Sequence, residues 1–233
     1  MENVNVSIAD NVKRLRETIG EAAIKSGRKP EDITLVAIAK TKPVDLIRQS
    51  IDAGVDAVGE NRVQEMLDKH SLGAYVGAPL HFVGHLQSNK VSKVVGVCHL
   101  IESVSSKALV ESIGKRATSL GIVQNVLIEV NIGREPQKSG VLPEQIEEIL
   151  ELVSITEGIK ALGFMAIPPI SEEKEKNRYY FDIMFKLFID MSAKTYDNDY
   201  VRLLSMGMSD SYTEAILAGS NMVRIGSALF GRR

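Results

Sequence analysis

The sequence contains few cysteines, few aromatic residues and no long hydrophobic run. Its 233 residues include one cysteine, Cys98, and no tryptophan, and aromatic residues make up 5% of the chain. A single cysteine excludes an intramolecular disulfide and a cysteine-rich metal cluster, which is typical of a reducing compartment. Since the N-terminal segment has no apolar signal core and no run is long enough to cross a bilayer, we expect a soluble, cytoplasmic protein without a membrane partner.

The chain also lacks an excess of charge of one sign. It has 28 Lys and Arg residues against 30 Asp and Glu residues, for a formal net charge of −2 at pH 7. Nucleic-acid-binding proteins usually carry a basic excess, so this balance argues against a nucleic-acid partner. A local phosphate site remains compatible with it.

A regular alternation of apolar runs and amphipathic segments fills the chain. Residues 7–27 have the apolar spacing of one helix face, with Ser7 and Asp10 as a capping box. Strand candidates then alternate with helices or helical turns, including a long helix predicted from about Ser171 to Thr195 whose acidic first turns (171–178) are expected to be exposed. The eight strand candidates are 33–39, 55–59, 80–84, 98–103, 123–132, 159–168, 200–209 and 221–231.

This alternation predicts a parallel sheet with crossover helices, because parallel strands need long connections. Eight units in slightly less than the typical length of about 250 residues favour an α/β fold of the (β/α)8 barrel class. We therefore predict a single barrel domain over residues 1–233 with an additional N-terminal helix. A doubly wound open sheet is the alternative, but the turn after the first strand, "AKTKP", is not a glycine-rich phosphate loop.

The first strand ends on a lysine that is a candidate for covalent chemistry. The two-residue period of a strand places Lys40 on the face of Val36 and Ile38. If that face fills the barrel, Lys40 points into its mouth, where a partly desolvated amine can form a Schiff base with an aldehyde. The alternative is an ion-paired lysine that caps the core. Lys42 follows the strand, beside Pro43, and is predicted to be a solvated helix-entry residue.

The last two units contain small residues where barrels commonly bind phosphate. Ser205, Gly207 and Ser209 end the seventh strand, and "IGSALFG" ends the eighth unit. Such residues let backbone N–H groups approach an anion, although ordinary turn and cap chemistry is the alternative. Arg224 lies within the eighth strand, on the face of Met222. A buried guanidinium there needs a core carboxylate or a ligand atom, either a phosphate oxygen or a ring nitrogen.

One ligand would use all three features. Pyridoxal 5′-phosphate (PLP) carries an aldehyde for Lys40, a phosphate for the Ser/Gly turns and a ring nitrogen for Arg224. Because arginine stays protonated, it would keep that nitrogen unprotonated, whereas the usual electron-sink arrangement places an acid there. This combination favours limited chemistry or simple binding.

Other polar candidates have simpler explanations. His81 and His85 in "HFVGH" have no neighbouring acid or cysteine in the sequence to complete a ligand set, so no metal site is predicted. Cys98 is predicted to be a core residue. The loop at 135–140 is predicted to lie over the barrel mouth, with Lys138 and Ser139 as candidates for ligand contact.

Five segments in order resemble those of the pyridoxal phosphate homeostasis proteins, from about Ile33 to Gly231. They are "AIAKTKP", "GENRVQE", "HFVGHLQSNK", "GFMAIP" and "LSMGMSDSYTEAILAGSNMVRIGSALFG". The resemblance implies one barrel of the alanine-racemase type, without the second β-rich domain that racemases carry. It also implies PLP binding and a role in vitamin B6 and amino-acid balance, without an established catalytic activity.

By this resemblance, the cofactor-binding positions fall on six residues of the chain. They are Lys40 as the Schiff-base lysine, Asn61 near the cofactor ring, Arg224 at the pyridine nitrogen, and Ser205, Gly226 and Ser227 at the phosphate. Members often have Thr at the position of Ser227, which keeps the hydroxyl. They also often have Thr at the position of Asn221, so a phosphate role is not assigned to Asn221.

Three functions remain open at this point. The favoured one is a PLP-binding carrier or regulator, with PLP-dependent apoenzymes as candidate partners. The second is a PLP-dependent amino-acid racemase or lyase, which Arg224 and the missing second domain disfavour. The third is a PLP-free barrel enzyme that acts on a phosphorylated sugar or aldehyde through a lysine Schiff base. Because the racemase dimer domain is absent from the sequence, a monomer is expected.

Overall fold

The chain folds as a closed barrel of eight parallel strands, which confirms the predicted fold class. The computed structural model describes residues 7–169, 174–194 and 201–231. The strands are β1 (Thr34–Ile38), β2 (Ala57–Glu60), β3 (Leu80–Phe82), β4 (Leu100–Val104), β5 (Gln124–Val130), β6 (Ile159–Ala166), β7 (Leu203–Ser205) and β8 (Met222–Ile225). Each strand pairs with its sequence neighbours and β8 pairs with β1, so the open-sheet alternative is wrong.

Helices connect the strands on the outside of the barrel. They are α1 (Ile8–Lys25), α2 (Val44–Asp52), α3 (Val63–Ser71), α4 (Val91–Val94), α5 (Lys107–Ser119), α6 (Ile146–Ile155), α7 (Lys174–Lys194), α8 (Tyr212–Leu217) and α9 (Ser227–Phe230). Short 3-10 turns precede β1, α4 and α6. Residues 171–173, the acidic start predicted for the long helix, and Thr195 at its end lie outside the described residues.

The additional N-terminal helix is confirmed as α1, together with its cap. The backbone N–H of Asp10 donates to Ser7 Oγ at 3.1 Å, and Ser7 Oγ donates to Asp10 Oδ2 at 2.7 Å. Residues four and three positions apart, such as Val12, Leu15 and Ile19, bury one face of the helix. That face packs against α8, α9 and α2, so α1 is part of the barrel's outer layer.

A separate apolar cluster fills the inside of the barrel. Its buried members are Val36, Ala57, Leu100, Leu127, Leu162, Met165 and Met222, and Ile38 packs against them. The expectation that Val36 and Ile38 face inward is therefore confirmed. The interior is narrow at this level, because a Cβ on Gly59 would lie 2.6 Å from Ile38 Cδ1. Counted from the members of this cluster, residues two and four positions later in the sequence lie nearer the carboxyl end of the barrel. The polar residues begin at this end, which forms the mouth.

Candidate functional site

Four buried polar side chains form a hydrogen-bonded network across the mouth of the barrel. Arg224 Nη1 donates to Ser205 Oγ at 2.6 Å, and Ser205 Oγ donates to Glu102 Oε2 at 2.6 Å. The other oxygen of Glu102 lies 2.8 Å from Nδ1 of His81. None of these residues is more than 6% exposed. Strands β3, β4, β7 and β8 therefore each contribute one member to a single network.

The network contains a buried ion pair. Arg224 Nη1 lies 3.9 Å from Glu102 Oε2. Burial raises the pKa of Glu102, but the hydrogen bond and charge of His81, followed by the charge of Arg224, outweigh it, so the net pKa is below the ordinary value. Burial lowers the pKa of Arg224, and the charges of Glu102 and Glu129 oppose this shift. The mouth thus holds a guanidinium that is fixed by protein partners.

A core carboxylate was one of the partners that the sequence allowed for Arg224. That carboxylate is Glu102, which the sequence alone did not identify. Arg224 Nη2 also donates to the carbonyl oxygen of Ala166 at 3.0 Å. A guanidinium has five N–H donors, so these two hydrogen bonds leave capacity for a ligand atom. A sequence signal did exist, because Glu102 lies within the fourth strand candidate and shares a strand face with Leu100.

Lys40 lies at the mouth, two residues beyond β1. Its side chain is exposed, and within the described residues its amine makes no hydrogen bond or ion pair. The alternative of an ion-paired lysine that caps the core is therefore wrong for the described part of the chain. Lys42 differs from its prediction as a solvated residue. It is half-buried, and its Nζ donates to the carbonyl oxygens of Phe230 at 3.1 Å and Gly231 at 3.2 Å.

Asn61 follows β2 and borders a cavity beside the mouth. The cavity has a volume of about 250 Å³, and His85, Lys90 and Lys93 also line it. The side-chain oxygen of Asn61 is buried and has no hydrogen-bond partner within the described residues. Unsatisfied buried polar atoms are rare in proteins, so this acceptor is available to a ligand.

Two backbone donors converge on one oxygen after β8. The N–H groups of Gly226 and Ala228 lie 3.3 and 3.2 Å from Ser209 Oγ, which accepts from both. Ser227 is exposed between them. The ladder places Ser205 at a deeper level, since Ser205 pairs with Met222 in the sheet. The serine at the Gly226 turn is therefore Ser209, in the turn after β7, which the sequence placed in the candidate phosphate-binding stretch without a role of its own.

A second buried carboxylate, Glu129, lies at the end of β5 under the loop 135–140. Ser139 Oγ donates to Glu129 Oε1 at 2.8 Å, while Glu129 Oε2 is buried without a partner within the described residues. Burial raises the pKa of Glu129, and the Ser139 hydrogen bond and the charge of Arg224 offset it in part. Lys138 pairs with Glu135 and donates to the carbonyl oxygen of Pro168 at 3.4 Å. Both loop candidates thus have protein partners.

The remaining candidates from the sequence lie apart from one another. His81 is part of the buried network, whereas His85 is exposed at the cavity. Among the described residues, no three His, Cys, Asp or Glu side chains are grouped in a way that could hold a metal ion. Cys98 is a core residue, as predicted. Its Sγ lies 3.3 Å from Met66 Sδ, and burial raises the pKa of its thiol to about 12.

The barrel is that of a known protein class. The model of the family "Alanine racemase, N-terminal domain" matches residues 7–233. Two curated relatives are named pyridoxal phosphate homeostasis protein. The one from Aquifex aeolicus is 39% identical and covers 98% of this chain and 99% of its own length; the one from Escherichia coli K12 is 38% identical, with 97% of each covered. The chain therefore belongs to the pyridoxal phosphate homeostasis protein family.

Solved structures agree with this assignment. A protein from Bifidobacterium adolescentis is 34% identical, with a TM-score of 0.90 over 99% of this chain and 97% of that one. PipY from Synechococcus elongatus, solved with PLP bound, is 28% identical, with a TM-score of 0.83 over 97% and 100% of the two chains. Alanine racemase from Clostridium difficile shares only the fold, with 19% identity and a TM-score of 0.77 over 96% of this chain and 60% of that one.

Within the described residues, no helix combines the length and the apolar character that crossing a bilayer requires.

Proposed function

We propose that the protein binds PLP through Lys40 and acts in PLP, vitamin B6 and amino-acid homeostasis, without robust catalysis. One observation carries this proposal. A lysine amine without a hydrogen-bond or ion-pair partner among the described residues, a fixed guanidinium and two convergent backbone N–H donors lie at the same end of the barrel. The names of the relatives and the PLP-bound structure of PipY support the choice of ligand.

The residues present fit this cofactor. Lys40 would attach its aldehyde, and the unsatisfied oxygen of Asn61 offers an acceptor beside the ring. The N–H groups after β8, together with the hydroxyls of Ser227 and Ser209, would hold the phosphate, with Gly226 leaving room for its approach. Ser205 would act mainly by fixing the guanidinium of Arg224.

PLP, when bound, supplies an aldehyde for covalent attachment and a pyridine ring that can accept electrons. The contribution of this chain at the ring nitrogen is the cation of Arg224. A nearby cation disfavours a second positive charge, so Arg224 would hold that nitrogen without a proton. Because Ser205 and the Ala166 carbonyl fix two of its N–H groups, the guanidinium is positioned before any ligand arrives. This arrangement makes the ring a weaker electron sink and suits binding more than turnover.

We further propose that the protein works as one domain, as a cytoplasmic monomer, and that PLP-dependent apoenzymes are its candidate partners. The closure of the barrel by β1 and β8, with α1 packed outside, supports a single unit. The exposure of Lys40 supports exchange with partners, because the attachment point is accessible from solvent. Light scattering after size-exclusion chromatography tests the oligomeric state, and a stable dimer would contradict it.

The binding proposal is tested by locating the attached cofactor. Purified protein is titrated with PLP, reduced with borohydride and digested, and the modified peptide is identified by mass spectrometry. We expect one equivalent of modification, on Lys40. Modification mainly at another lysine, or no uptake of PLP, would overturn the proposal.

The absence of robust catalysis needs its own experiment. The PLP-loaded protein is incubated with a panel of L-amino acids in deuterated water, beside free PLP at the same concentration. We expect Cα–H exchange no faster than with free PLP, since Arg224 weakens the ring as an electron sink. Clear turnover or rapid exchange would establish the racemase or lyase alternative instead.

A further inference from the structure

A buried lysine on α3 contacts the backbone beside Lys40. Lys69 is 8% exposed, and its Nζ donates to the carbonyl oxygen of Ala39 at 2.8 Å, to Glu60 Oε1 at 2.7 Å and to Glu65 Oε1 at 2.6 Å. An ammonium group has three N–H donors, so these contacts use all of them. A lysine buried this deeply and bonded on three sides cannot change its rotamer without losing several charge-assisted hydrogen bonds.

Glu65, the ion-pair partner of Lys69, contacts the backbone on the other side of Lys40. Glu65 Oε1 also accepts a hydrogen bond from the backbone N–H of Thr41. The Ala39 carbonyl belongs to the peptide group before Lys40, and the Thr41 N–H belongs to the peptide group after it. Since each peptide group is planar, the pair restrains both backbone torsions of Lys40.

The sheet does not restrain this segment, and the backbone contributes one turn hydrogen bond across it, from the Lys42 N–H to the Ala39 carbonyl oxygen at 3.0 Å. β1 ends at Ile38, and the Ala39 N–H makes its hydrogen bond with Gly59 O at 3.0 Å, so Lys40 lies beyond the ladder. Thr41 has a φ of 61°, in the left-handed region that β-branched residues rarely adopt. A strained residue directly after Lys40 would relax to another conformation unless its surroundings held it.

Glu60 anchors the ion pair from the barrel side. It is fully buried at the end of β2, and the hydroxyl of Tyr75 donates to its Oε1 at 3.1 Å. Lys69 is therefore held between Glu60, at the end of β2, and Glu65, on its own helix α3.

We infer that Lys69 and Glu65 form a clamp that positions Lys40 for covalent attachment of an aldehyde. The inference rests on the proposed function for its purpose, and on the contacts above for its geometry. Within the described residues, neither side chain hydrogen-bonds to the amine of Lys40, so both are positioning residues that act through the peptide groups of Ala39–Lys40 and Lys40–Thr41.

The test uses variants of Glu65, because replacing Lys69 would leave Glu60 as an unpaired buried charge and endanger folding. Glu65→Ala removes the acceptor of the Thr41 N–H, whereas Glu65→Gln keeps an oxygen there. Asp190→Ala is the control for loss of a helical carboxylate–lysine pair away from the site, since Asp190 pairs with Lys186 at 2.6 Å on the exposed side of α7. Two quantities are measured on the full chain: exchange of the Thr41 amide hydrogen by NMR without PLP, and the dissociation constant for PLP.

For Glu65→Ala we expect faster exchange of the Thr41 amide and a PLP dissociation constant raised about tenfold, the factor that corresponds to roughly one hydrogen bond. Glu65→Gln should recover most of both values, and Asp190→Ala should change neither. Unchanged exchange in Glu65→Ala, or faster exchange with unchanged PLP affinity, would overturn the clamp. If the wild-type protein took up no PLP, the proposed function would fail, while Thr41 exchange would still decide whether the clamp orders this segment.

Discussion

Arg224 and Ser205 are joined by a hydrogen bond of 2.6 Å inside the barrel, where neither residue is more than 4% exposed. Through Ser205 the guanidinium is linked to the carboxylate of Glu102, which is fully buried. Buried charges are tolerated when they are paired and hydrogen-bonded, so each member depends on the others. The positions of the groups at the mouth are therefore set by the core of the barrel, before any ligand binds.

The first prediction concerns the hydroxyl that links these two charges. Ser205→Ala leaves Glu102 Oε2 and one N–H of Arg224 without this partner, so we expect the free energy of unfolding to fall by about 1–3 kcal/mol. Urea denaturation measures it. Ser71→Ala on the exposed part of α3 is the control, with an expected change within about 0.5 kcal/mol. Equal stability of the two variants would contradict the role of Ser205 in the network.

The second prediction concerns the narrow interior. Gly59→Ala would place a Cβ 2.6 Å from Ile38 Cδ1 and 3.2 Å from Val36 Cγ1. We expect overpacking to lower the free energy of unfolding by about 1–3 kcal/mol. In Gly20→Ala, the matched change within α1, the nearest atom is at 3.5 Å. Since alanine is the better helix former, that variant should be as stable as the wild type or more stable by up to about 1 kcal/mol.

Thermal unfolding of both glycine variants, followed by circular dichroism, provides the comparison. A melting temperature for Gly59→Ala as high as that of Gly20→Ala would show that Ile38 can move away. The interior would then be less tightly packed around β1 than the structure indicates.

The third prediction concerns pH. Burial raises the pKa of Glu129, so the native state holds this proton more tightly than the unfolded chain does. The stability that this group contributes is present below its unfolded pKa and is lost as pH rises through its folded pKa. Glu129→Gln cannot ionise and keeps an acceptor for Ser139. We therefore expect the variant to be more stable than the wild type near neutral pH, with a smaller difference in acid.

Urea denaturation at about pH 4, near the ordinary pKa of glutamate, and at about pH 7 tests this sign. Glu144→Gln serves as the control, because Glu144 is exposed and the pKa of its carboxyl is lowered by Arg134. A gain in stability for Glu129→Gln that is larger at the acidic pH would contradict the account.

Much of the fold was predictable because its signals are local. The alternation of strands and helices, the capping box at Ser7 and the inward face of Val36 and Ile38 follow from short-range periodicity. The same period placed Lys40 at the mouth. The doubly wound alternative differed in strand order and lacked the pairing of β1 with β8, and both depend on contacts between residues far apart in the sequence.

The site was less predictable where distant residues meet. Glu102 and Ser205 are 103 positions apart, so no spacing rule connects them. Lys69 has the sequence environment of a surface helix residue, yet it is buried against Ala39 and Glu60. Ser205 ends β7, whereas Ser209 lies in the turn after it, beyond Gly207 with its φ of 95°, so the two-residue period of a strand does not place the Ser209 hydroxyl.

The central claim is that one lysine of "AKTKP" attaches PLP, and paired variants of its two lysines test it most directly. Lys40→Ala removes the exposed amine, whereas Lys42→Ala removes a group that already donates to the carbonyls of Phe230 and Gly231. The measurement is the visible absorption of each protein after PLP addition, before and after borohydride. We expect wild type and Lys42→Ala to show a band that borohydride abolishes, and Lys40→Ala to lack it. An unchanged band in Lys40→Ala would contradict the account.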